Sequence, residues 1–161
     1  PKGERSKAVE NLARLLKEHP FLRGLEDRHL EFLTGCASNV RYAADEFLFK
    51  EGQEASASYL LRSGRIALEI GVPGRGPVQI QTVEVGEVLG WSWLFAPYRW
   101  QFDARAVEPV RAFALDGNCL RAKCEADHDL GYELVKRFLY QVHLRLERTR
   151  MQLLDVYRAQ G

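Results

Sequence analysis

No run of apolar residues in this chain approaches the roughly 18–20 needed to cross a bilayer, and no secretory signal is visible. Insertion into a membrane is therefore not expected, and the expected location is the cytoplasm. Excess charge of either sign is also missing, since 23 basic and 22 acidic residues leave a formal net charge of +1. Without an overall field, the balance gives no argument for nucleic acid, a membrane surface or a polyanion as partner. Cysteine is sparse. Cys36, Cys119 and Cys124 are odd in number and lack a CxxC spacing, which disfavours a disulfide framework and a four-cysteine metal or iron–sulfur site. His19, His29, His128 and His143 are scattered without an HxxxH pair, so no metal ligands are expected. Ser92 with His128 or His143 is the only hydrolase pairing to weigh, and no G-x-S-x-G elbow surrounds that serine. Catalysis is not expected.

What the chain does have is 46% hydrophobic residues, enough for the core of one domain of 161 residues. Leu12, Leu15 and Leu16 fall on one face of a helical segment that Pro20 ends. A second helical segment carries Leu30 and Leu33, with Gly35 as its C-cap and Asp27 or Glu26 at its first turn. From Asn39 the period changes from helical to alternating. Apolar stretches are then separated by turn residues at Ala44-Asp45, Ser63-Gly64, Pro73-Gly74, Val85-Gly86 and Asp116-Gly117. Short strands at that spacing predict a small antiparallel barrel or jelly roll. Helical period returns after Asn118, with a short helix around Cys119–Glu125 and a long one from about Asp129. A single domain over residues 1–161 is expected, with helices over 1–38, the barrel over 39–117 and helices over 118–161.

The long helix has two stripes. Leu130, Leu134 and Phe138 form one, suited to packing on the barrel. Val135, Leu139, Val142, Leu146, Thr149, Leu153 and Val156 form the other, spaced alternately by four and three. That alternation is a heptad seam, and it predicts a homodimer through the distal helix.

The order of elements, with DEFLFKEGQEASASYLLRSGRIALEI, VGEVLG and then DARAVEPV, resembles the cyclic nucleotide-binding domain. That domain occurs in Crp/Fnr regulators, protein kinase A regulatory subunits and cyclic nucleotide-gated channels. The likeness covers roughly residues 20 to 158. It implies an α+β, mainly β fold: a double-stranded β-helix or jelly-roll barrel, with N-terminal helices and a long C-terminal helix that moves with the ligand. It also implies a small-molecule ligand, with cyclic AMP or cyclic GMP as the candidate and no other cofactor.

In that family a Gly-Glu turn, a short helix, an arginine and a small residue form the phosphate-binding cassette. Backbone amides hold the phosphate, the arginine neutralises it, and the glutamate accepts from the ribose 2′-hydroxyl. Here Gly86 and Glu87 match the opening, while Trp100 falls at the arginine position and Phe102 replaces a small neighbour. Arg99 lies beside the expected position and serves only if the longer loop turns it inward. The resemblance therefore implies a ligand-binding set of Gly86, Glu87, Val88, Leu89, Trp91, Ser92, Arg99 and Trp100. Trp91 and Trp93 are expected to divide between pocket and core.

Three readings stay open for this loop: a cyclic nucleotide held through Arg99, another small aromatic or anionic metabolite, or a pocket filled by tryptophan. The expected function is a stand-alone ligand sensor acting on an unknown protein partner, against the alternative of a non-binding interaction scaffold. In Crp/Fnr regulators a helix-turn-helix domain follows the long helix. This sequence stops at Gly161, so DNA binding by the chain alone is not expected.

Overall fold

In the computed structural model, residues 2–161 are described, except for the side chains of Lys2 and Ser6. The leucine stripe near the start folds as α1 (Lys2–Glu18), and Pro20 opens a 3-10 turn over Pro20–Leu22. A second helix, α2 (Asp27–Thr34), buries Leu30 and Leu33. Eight strands follow: β1 (Ala37–Tyr42), β2 (Phe47–Phe49), β3 (Ala57–Ser63), β4 (Ile66–Val72), β5 (Gly76–Val83), β6 (Val88–Leu89), β7 (Asp103–Ala106) and β8 (Val110–Asp116). They form two four-stranded antiparallel sheets, ordered β1-β8-β3-β6 and β2-β7-β4-β5. Leu60, Leu61, Leu89, Phe113 and Leu115 from the first sheet meet Ile66, Leu68 and Val83 from the second in one core. This is the jelly-roll barrel expected from the alternating period.

The turns explain why the strands stop where they do. Gly64, between β3 and β4, has φ +90°, and a Cβ there would overlap the Pro109 carbonyl oxygen. Pro73-Gly74 lies at the tip of the β4–β5 hairpin. Asp116-Gly117 is not a free turn. The Asp116 carboxylate accepts the Cys119 N–H at 2.8 Å and starts α3 (Gly117–Ala126) as its N-cap.

One expectation about cysteine is corrected. Cys36 and Cys119 form a disulfide, with Cα atoms 5.6 Å apart, and Cys124 is the free thiol. No local spacing marks the pair, because 83 positions separate the two cysteines. The β1–β8 ladder, which pairs Ala37 with Leu115, brings the residue before β1 against the helix that follows β8.

The last helix, α4 (His128–Gln160), spans 33 residues and starts one position earlier than expected, where the Asp127 carboxylate accepts the Leu130 N–H. Its length lifts the helical share above the strand share. Leu130, Leu134 and Phe138 are buried, Phe138 meeting Phe21 and Trp93 edge-on or tilted. Of the heptad seam, Val135, Leu139, Leu146, Leu153 and Val156 remain exposed, Leu139 at 65%. Among the described residues no helix is long and apolar enough to cross a membrane.

Candidate functional site

Gly86 takes φ +87° and donates its N–H to the Leu61 carbonyl, while the Glu87 carbonyl accepts from the Leu61 N–H, each at 3.0 Å. Those two bonds fasten the start of the cassette to β3. His19 supports the same strand from behind. Its Nε2–H donates to the Leu61 carbonyl at 2.9 Å, and Nδ1 accepts the Phe21 N–H at 3.2 Å, the tautomer following from these partners. Burial, more than the nearby Arg62 and Arg23, holds the His19 pKa below its ordinary value. The Glu87 carboxylate is already engaged. It accepts the Glu84 N–H at 3.0 Å and pairs with Arg148 of α4 at 2.8 Å.

Val88 and Leu89 are buried in β6, and Ser92 is buried just beyond it. The residues after Gly90 run through turns instead of the short helix of the family cassette. Trp93 fills the core against Phe138, whereas Trp91 is half-buried and borders a cavity. Trp100 is buried too, stacked on Phe49 with ring centroids 3.8 Å apart and planes 9° apart. A Cβ on Gly90 would stand 2.7 Å from the Trp100 ring, so only glycine admits this indole. Arg99 is exposed, its backbone bridged to Glu54, and it does not line that cavity. The two residues at and beside the expected arginine position thus point to core and to solvent.

The cavity measures about 600 Å³ and lies between the second sheet, the cassette turns and α4. Leu68 and Ile80 form its sheet wall, Trp91 and Phe102 its cassette wall, and Val142, Arg145 and Leu146 its helix wall. Gln79, Gln81, Thr149 and Gln152 add neutral polar groups. Gln81 ties the helix to the sheet, donating to the Arg145 carbonyl at 3.0 Å and to Thr149 Oγ1 at 2.8 Å.

Arg145 is the feature the sequence reading missed. It is 7% exposed, donates from Nη2 to the Val88 carbonyl, and sets its guanidinium 4.5 Å over the Trp91 ring. Its Nε and Nη1 have no hydrogen-bond partner. Burial pulls its pKa down to about 10; Glu87 opposes that shift and Arg148 adds to it. A signal was present. Arg145 lies seven residues after Phe138, continuing the inward stripe of Leu130, Leu134 and Phe138 with a charge.

Residues 39–127, more than half of the chain, match the cyclic nucleotide-binding domain family. The chain belongs to that family. No curated protein matches the sequence. Among solved structures, a protein of Geobacter metallireducens GS-15 described as cyclic nucleotide-binding is 27% identical, with a TM-score of 0.76 over 83% of this chain and 97% of its own. The sensor domain of the transcriptional regulator DNR from Pseudomonas aeruginosa shares 17% identity and a TM-score of 0.69, covering 88% of this chain and 95% of that one. The regulatory domain of Toxoplasma gondii PKA, solved with cAMP, shares 14% identity and a TM-score of 0.66, covering 81% of this chain and 51% of its own. The last two likenesses speak for the fold alone. Within this cyclic nucleotide-binding domain, Gly86 and Glu87 are held against β3 and Trp100 is a core indole stacked on Phe49.

Proposed function

We propose that this domain is a non-catalytic sensor whose small-molecule site is the cavity between the cassette turns and α4. One observation carries this reading: the cavity is walled on one side by Trp91 and Phe102 and on the other by Val142, Arg145 and Leu146. The Glu87–Arg148 ion pair and the Arg145 bond to Val88 link the same two elements. A molecule occupying the cavity therefore bears on the cassette and the helix together, and shifts the equilibrium between their arrangements. The exposed apolar seam of α4 fits a homodimer, whose geometry would carry the signal to a protein partner.

Cyclic AMP and cyclic GMP are the first ligands to try, as the family's own. Trp91 lines the cavity while Trp93 and Trp100 are buried, so a fluorescence titration reads occupancy largely through one indole. A saturable change with a cyclic nucleotide or another small molecule supports the sensor. The scaffold reading rests on Trp100, which fills the interior at the arginine position, and on Arg99, which lies outside the cavity. It predicts no saturable response from a folded sample to any small molecule.

A further inference from the structure

We propose that Arg145, on the long helix, is the anion anchor of this pocket, and that its ligand is a small oxyanion on a flat apolar body. The inference rests on the cavity being the ligand site and adds the chemistry of what enters it. Leaving a guanidinium nearly out of water without a carboxylate partner is unfavourable, and Arg145 keeps two of its nitrogens unpaired. Among the described residues it is the only charged side chain lining the cavity. The nearest counter-charge, Glu87, is taken by Arg148 at 2.8 Å and by the Glu84 amide. Two cations against one carboxylate leave about one positive charge unmatched beside the cavity. A carboxylate or phosphate in the cavity would balance that charge, and a turn of the guanidinium, whose unpaired Nε and Nη1 are buried, would give it donors as well.

The walls specify the rest of the ligand. Trp91, Phe102, Leu68, Ile80 and Val142 offer apolar and aromatic surface, and Arg145 is already stacked over Trp91. No carboxylate lines the cavity to accept from a sugar diol among the described residues. Anchoring from α4 also differs physically from anchoring in a cassette. The charge of the ligand would pull on the helix itself, with no loop as intermediary.

The test compares 2-naphthoate with its neutral isostere 2-naphthamide, and adds 2-naphthyl phosphate as a second anion. Binding is followed by NMR through the three indole N–H signals, assigned with Trp91→Phe. In the unmodified protein, at least one anion should bind about tenfold or more tighter than the amide, a factor equal to about 1.4 kcal/mol. Which of the two anions gains shows whether the site takes a carboxylate or a phosphate. Arg145→Gln keeps a donor for Val88 and should reduce the preference to about onefold, whereas Arg99→Gln should retain it. Equal binding of anions and amide by the unmodified protein overturns the anchor while leaving the cavity reading intact. So does a preference that survives Arg145→Gln or vanishes in Arg99→Gln. Failure of all three probes to move the Trp91 signal overturns the cavity reading and the anchor together.

Discussion

At the scale of single residues, Trp100 belongs to the core. Its indole lies flat on Phe49, in space that Gly90 leaves open by having no side chain. An arginine at position 100 would have to displace that stack. Trp100→Arg should lower stability by at least about 3 kcal/mol, because it removes a buried stack and leaves an unpaired guanidinium inside. Urea denaturation should show a lower midpoint, and cyclic AMP should not restore it. His19 makes a separate prediction about acid. Burial depresses its pKa below the ordinary 6.5, so between those values the folded state carries fewer protons than the unfolded chain. Its stabilisation is full above about 6.5 and is lost as pH falls through the folded value, by at most about 1.4 kcal/mol per pH unit. Denaturant midpoints at pH 7.5 and pH 5 should therefore diverge in the unmodified protein and converge in His19→Gln. The shifted carboxylates, Glu26, Asp127 and Glu133, titrate below that window.

At the scale of elements, α4 serves two surfaces along one rod. Its proximal half was legible from the stripe of Leu130, Leu134 and Phe138, since apolar residues at helical spacing must find cover. Arg145 continues that stripe and so left a signal, which its charge masked, because a charged residue is ordinarily assigned to solvent. Thr149 was legible as the one polar position of the seam, but not as the partner of Gln81, since β5 and α4 are far apart in the sequence. The cassette loop was legible only as a likeness to the family. The resemblance implied Gly86 and Glu87 as its opening, yet nothing in the spacing says that the indole at position 100 stacks on Phe49 across the barrel. The uncovered seam gives this scale its prediction. Leu139→Lys with Leu153→Lys should convert a dimer to a monomer in sedimentation velocity, with the melting temperature of the barrel little changed. A monomeric unmodified protein would rule out the seam as a self-association surface.

At the scale of the whole molecule, the change from helical to alternating period at Asn39 and back after Asn118 was enough to expose the architecture. Turn residues such as Ser63-Gly64 and Pro73-Gly74 fixed the strand ends within it. The disulfide escaped because chain topology, not local spacing, brings Cys36 to Cys119. Closing a loop of 83 positions restricts the unfolded chain, and the chain-entropy account gives roughly 4.5 kcal/mol for a loop of that length. Reduction with dithiothreitol should lower the melting temperature, and Cys36→Ser should reproduce the reduced value. A melting curve indifferent to both treatments would mean that the bond adds nothing in solution.

The helix that closes the cavity also overhangs it. From Arg145 to Gln160 the rod extends roughly 22 Å at 1.5 Å per residue, and its last ten residues are exposed. Such a rod is a pointer pivoted at its bearing, with Gln81, Val88 and Glu87 as the bearing's fixed points. A tilt of about 10° at the pivot would carry the far end by about 4 Å over that length. Displacement too small to notice at the pocket thus becomes a side chain's width at the tip, where Leu153 and Val156 lie open to another chain.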